Sequence, residues 1–134
     1  MSRTIIIRIT AAVALLFGIA TIKEGGAVLF FDGEARLAAG NYVPFVLWSN
    51  FFAGFFYILS GVGLWFLRSW GARLALIIFM LTVSLFVMFG IYVWSGGLFE
   101  NRTIVAMTIR TAVWAIIGLA GYYLVPLKQT TPGK

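Results

Sequence analysis

The chain has no cysteine, no histidine and only four acidic residues among 134, with 10% of positions charged and three prolines. Without a thiol it can form no disulfide, thiolate metal site, iron–sulfur ligation or cysteine nucleophile. Without an imidazole it has no bis-histidine haem ligation and no histidine proton relay. The acids Glu24, Asp32, Glu34 and Glu100 are too scattered to build a carboxylate metal cage inside an apolar layer. Met80, Met88 and Met107 could offer thioethers to Cu(I). Methionine is also an ordinary filler of apolar gaps, however, so these are read as packing residues and neither metal nor cofactor is expected.

What the chain does have is apolar length. Hydrophobic residues make up 62% of it, at a mean hydropathy of +1.02, a composition that would leave a water-exposed domain with an almost wholly apolar surface. These residues gather into four blocks, 5–22, 43–67, 72–94 and 104–125. At about 1.5 Å per residue, each is long enough to cross a hydrocarbon layer of about 30 Å as a helix. The pattern predicts an all-α polytopic membrane protein, an antiparallel four-helix transmembrane bundle, with residues 1–134 forming a single integral domain. Arg3 followed by an apolar run imitates a secretory signal, but Ile19-Ala20-Thr21-Ile22 leads directly into Lys23 without a convincing cleavage pair. The run is therefore read as an uncleaved first span.

Charge sorting predicts the orientation. Arg3, Arg8, Arg68, Arg73, Lys128 and Lys134 lie on one side with no acid among them. All four acids lie on the other, opposed only by Lys23, Arg36 and Arg102. By the positive-inside rule, both termini and the turn at residues 68–73 face the cytoplasm. The net charge of +6 then reads as an orientation signal, and as a contact for anionic lipid, with no nucleic-acid partner expected. Trp65, Trp70, Tyr122 and Tyr123 fall at the cytoplasmic ends of the blocks, and Tyr42, Trp48, Tyr92 and Trp94 at the outer ends, where aromatic rings prefer the headgroup level.

The outer connection, residues 23–42, is the only long one. Asp32 could cap a short helix over 33–39 that ends at Gly40. This segment reads either as a loop packed on the outer rim or as a cover over an outward-facing cavity.

A polar group stands out in the outer half. Arg110 lies about seven residues into the fourth block, roughly 10 Å deep. Asn50 lies at similar depth in the second block, and Glu24 ends the first on the same side. A guanidinium at that depth is costly unless paired or hydrated, so it should face the bundle interior. It reads either as a buried salt bridge to Glu24 or Glu100 that fixes helix register or as an anion or headgroup site. Arg8, near the cytoplasmic end, can snorkel.

Steps of three and four place Thr103, Met107, Arg110, Trp114, Gly118 and Gly121 on one helix face. The same steps place Asn50, Gly54, Tyr57, Gly61, Trp65 and Arg68 on one face of another helix. The small residues on these faces, with Ala14 and Gly18 in the first block, are the means of close helix approach in lipid. The second and fourth spans are accordingly expected to face one another or share an interior surface, with Gly54, Gly61, Gly118 and Gly121 at the approach.

Arg8, Gly18 and Lys23, the run Gly54-Phe55-Phe56-Tyr57-Ile58-Leu59-Ser60-Gly61-Val62-Gly63-Leu64, and then Arg68 and Ala72 together resemble the DoxX-like group of small four-helix membrane proteins. That resemblance implies a four-helix bundle of the bacterial inner membrane, in a family some of whose members are associated with sulfur or redox chemistry. The small multidrug transporters also have four spans, but they rely on a carboxylate deep in the first helix, and residues 10–22 here contain none. The leading expectation is a non-enzymatic accessory or scaffolding subunit, held to other membrane proteins or to its own copies within the bilayer. One alternative is a small-solute or lipid-binding transport component using Arg110, Asn50 and Glu24. Another is a redox accessory near the quinone pool.

Overall fold

The structure is a computed structural model and describes residues 2–31 and 33–125. Five helices follow one another: α1 (Arg3–Phe30), the short α2 (Glu34–Ala39), α3 (Pro44–Trp65), α4 (Ser69–Trp94) and α5 (Asn101–Leu124). All but α2 are long and apolar enough to cross a membrane, by length and composition. The expected cap at Asp32 lies outside the described residues, and α2 itself begins at Glu34 with Gly33 preceding it.

Local chemistry sets the helix ends. Ser2 Oγ accepts a hydrogen bond from the Ile5 N–H at 3.2 Å and caps α1. Pro44 opens α3 at a position where a missing N–H costs nothing. At the end of α3 the chain reverses through Leu67, whose φ of +59° is left-handed, and the Arg68 N–H reaches back to the Gly63 carbonyl. α4 ends in the same hydrogen-bond pattern at Gly96, where φ is +93° and no side chain opposes it.

The first helix runs past the apolar block that ends at Ile22 and carries Lys23 and Glu24 within it as far as Phe30. Its last carbonyls then need partners. Arg36 of α2 supplies them, donating through Nε to Val28 O at 2.8 Å and through Nη2 to Leu29 O at 2.9 Å. A cation at a helix C-terminus also complements the helix dipole.

The close helix approaches fall between particular partners. α1 packs most extensively on α3, and α4 on both α3 and α5. A Cβ on Gly18 would lie 2.8 Å from Gly54 O, and one on Gly61 would meet Leu15 and Ala11, so the small residues of α3 admit α1. Gly118 and Gly121 approach Leu76 and Ala72 of α4 most closely, and Gly121 also meets the Leu64 side chain of α3 at 3.4 Å. The glycines of the second and fourth spans therefore do not bring those two helices together. α3 and α5 share an interior surface through larger groups, with Tyr57 and Trp114 at 4.7 Å between ring centroids. Glycine allows close approach but does not choose the neighbour, and here it is used toward other helices.

Two apolar clusters result. The larger includes Ile7, Ala11, Tyr57, Leu64, Ala72, Ala75, Trp114 and Ile117, and it extends to the end of the bundle that carries the α3–α4 turn. The smaller joins Val43, Val46, Phe89 and Met107 at the opposite end, which carries α2.

Candidate functional site

At the α2 end, α1, α3 and α5 enclose a cavity of about 140 Å³. Arg110, Asn50 and Glu24 all line it, together with Thr21, Arg102 and Met107. Two guanidinium groups thus face one carboxylate across the same space. Ala39 and Tyr42, at the close of the α1–α3 connection, complete the wall. That connection is tied down from α5: Arg102 Nη1 donates to Ala38 O at 2.9 Å, and Glu100 Oε2 accepts from the Asn41 N–H at 2.9 Å.

Arg110 is half-buried, and its partners are hydroxyl groups. Nη1 donates to Thr21 Oγ1 at 3.1 Å and to Tyr57 Oη at 3.3 Å. The guanidinium carbon lies 5.4 Å from the Phe17 ring centroid and 6.0 Å from that of Tyr57. Aromatic faces stabilise a cation through their quadrupole, which offsets part of the cost of placing a charge among apolar helices. Tyr57 is held in turn between Phe17, stacked at 5.6 Å, and Trp114. The platform under the guanidinium is rigid because Tyr57 and Trp114 are fully buried.

Neither acid considered as a salt-bridge partner takes that role. Glu24 is exposed on α1 and shares the cavity with Arg110, but it does not pair with it, and Glu100 is engaged with the Asn41 amide. Among the described residues Arg110 therefore has no carboxylate partner. Its Nε is buried and has no hydrogen-bond partner among the described residues, nor has the indole Nε1 of Trp114. A buried donor without an acceptor costs about 1–3 kcal/mol.

Asn50 does not reach Arg110. Its Nδ2 donates instead to Met107 Sδ at 3.5 Å, a weak bond that leaves the amide oxygen unengaged by this contact. Asn50 has a second position of note, since it also lines an apolar groove of about 600 Å³ between α3 and α4. Arg8 lies elsewhere, with Nε on Trp65 O at 3.3 Å and its guanidinium 5.2 Å from the Trp65 ring centroid. Gly18, Gly54, Gly61, Gly118 and Gly121 sit at helix contacts outside the cavity wall.

Sequence reasoning missed Thr21 and Tyr57 as the partners of Arg110. Tyr57 shares the helix face with Asn50, which was a signal for its inward orientation. Thr21 had no such signal, because its hydroxyl looks unremarkable in an apolar run. No family model matches the chain, and no curated protein or solved structure matches it either.

Proposed function

We propose that the protein is a multi-pass membrane protein, an antiparallel bundle of four spanning helices with both termini cytoplasmic, which binds a small anionic group in the cavity around Arg110. The observation that carries this reading is a guanidinium with no carboxylate partner among the described residues, in a cavity that Arg102 and Glu24 also line. Charge sorting along the sequence supports an outward-facing α2 end, since Glu24, Asp32, Glu34 and Glu100 all fall on that side. A bacterial inner-membrane location and DoxX-like kinship belong to the same proposal and rest on the residue pattern quoted above. A planar guanidinium matches carboxylate and phosphate oxygens geometrically, and it does so best where water is partly excluded.

The test is thermal unfolding of the purified protein in a neutral detergent with inorganic phosphate or acetate against chloride at equal ionic strength. Phosphate or acetate should raise the midpoint of the wild type and leave Arg110→Gln unmoved. An identical response of the two proteins would remove the reading.

A second reading, an accessory subunit, is favoured by one surface. Phe30, Trp48, Phe51, Phe52 and Phe55 form a continuous ladder of ring contacts along α1 and α3 at 5.5–6.3 Å, and most of these rings are exposed. Aromatic residues are enriched at protein interfaces, so this face suits another membrane protein or a second copy. Replacing Phe52 and Phe55 by Ala should then change the oligomeric state or the co-purifying proteins. An unchanged elution profile and composition would contradict it.

A further inference from the structure

Asn50 belongs to the walls of two spaces of opposite character. On one side is the polar cavity of about 140 Å³ around Arg110, and on the other the groove of about 600 Å³ between α3 and α4. The groove is almost wholly apolar, lined by residues such as Phe52, Phe56, Ile77, Leu81 and Met88, each of which is also exposed on the outside of the bundle. The closest backbone approach of α3 and α4 is near their shared turn. There a Cβ on Gly63 would lie 2.6 Å from Gly71 Cα. Beyond that approach larger side chains set the spacing, with Phe45 and Tyr92 at 5.8 Å between ring centroids at the far end, and the groove lies between.

The sizes discriminate between ligands. Small-molecule sites commonly occupy about 300–1,000 Å³, so the polar cavity alone is too small for anything beyond a compact charged group, while the groove has the volume of a whole ligand but offers it almost no polar contact. A molecule that uses both must have an anionic head and an apolar tail. The geometry points to an anionic lipid as the ligand, with its phosphate at Arg110 and one acyl chain in the α3–α4 groove, Asn50 standing at the junction. This rests on the anion-binding reading and names its substrate class. Charge complementarity sets the sign of the head, because among the described residues Arg110 and Arg102 line the space with Glu24 as the one acid. The groove supplies entry from the bilayer plane, so the chain need never pass through water.

The experiment uses the full chain in nanodiscs of phosphatidylcholine, with binding read by native mass spectrometry. Three probes are added at equal concentration: lysophosphatidylglycerol, glycerol phosphate, which has the head without the chain, and monoacylglycerol, which has the chain without the charge. The wild type should retain lysophosphatidylglycerol at least tenfold better than either of the others. Arg110→Gln should lose that preference for charge. Ser84→Trp, which fills the groove from an exposed position on α4, should lose the preference for a chain while still responding to glycerol phosphate. Should Arg110→Gln fail to fold, Arg102→Gln on the exposed rim should still weaken binding of the charged lipid severalfold.

Equal retention of monoacylglycerol and lysophosphatidylglycerol would overturn the inference, since ordinary solvation by lipid would then account for the groove. Equal retention of glycerol phosphate and lysophosphatidylglycerol, with no effect of Ser84→Trp, would also overturn it while leaving the anion site intact. Retention of neither charged probe would remove the anion site as well.

Discussion

At the turn end of the bundle, a Cβ on Gly71 would sit 2.6 Å from the backbone of Gly63 and Leu64, and Ser60 Oγ closes the contact by donating to Gly71 O at 2.9 Å. At the α2 end, the helices stand far enough apart to leave a polar cavity and part of an apolar groove, and much of the contact is made by long side chains. The difference teaches a division of labour. Backbone-to-backbone packing stabilises by dispersion over many short contacts and leaves no room for a ligand. Contacts through arginine, glutamate and tyrosine hold helices at a distance and place charge in the gap. The closest approach of α3 to α4 lies at one end, and the polar cavity at the other.

The largest effect should come from breaking the tight end. Gly71→Leu forces a side chain into the α3 backbone, where nothing flexible can yield, and should cost at least about 3 kcal/mol or abolish the folded form in detergent. Gly90→Ala is the control on the same helix: with no atom near its Cβ, it should be neutral or stabilising by about 0.5–1 kcal/mol. Thermal denaturation followed by circular dichroism compares the two. Similar losses would show that the contrast between tight and open packing is false.

An intermediate effect is expected at the platform under Arg110. A double-mutant cycle of Arg110→Met with Tyr57→Phe should give a coupling of about 1.5–3 kcal/mol, the usual worth of a hydrogen bond to a charged group. The same cycle of Arg110→Met with Glu24→Gln should give less than about 0.5 kcal/mol, because those two side chains share a cavity without pairing. A dominant Glu24 coupling would restore the register-fixing salt bridge and weaken the case for a ligand.

The smallest effect concerns the tether of the connection. Glu100→Ala removes the acceptor of the Asn41 N–H and should cost about 1 kcal/mol, read as faster hydrogen exchange confined to residues near 41. Acceleration spread evenly over all helices would mean that the connection is part of the core rather than a cover on it.

The four long helices were legible in the sequence because hydropathy over twenty residues is a strong signal, insensitive to which neighbours a helix chooses. The inward facing of Arg110 was legible for a related reason, since a cation in an apolar run has few tolerable positions. Pairing was less accessible. Gly54 and Gly61 announce that something approaches α3 closely, but only the three-dimensional arrangement selects α1, and Gly63 with Gly71 passed as ordinary members of their runs although they make the tightest contact between α3 and α4. The end of α1 was misplaced because Lys23 and Glu24 read as a boundary. In the structure the helix absorbs both, and Arg36 satisfies its terminal carbonyls from the next element. The hydroxyl partners of Arg110 were hidden because a carboxylate is the obvious expectation for a guanidinium, whereas here Thr21 and Tyr57 accept from it beside the rings of Phe17 and Tyr57.

A cavity around Arg110 that binds anions from the outer side should be reachable from there and should attract negative charge. Because the chain has no cysteine, a single Ala106→Cys substitution in the cavity wall gives a clean probe of that space. Its reaction rates with a negatively and a positively charged methanethiosulfonate of similar size, added to the outside of intact cells, report the local potential. The account predicts severalfold faster modification by the anionic reagent, with that preference lost in the Arg110→Gln background. Equal rates, a preference for the cationic reagent, or no reaction from the outside would contradict it.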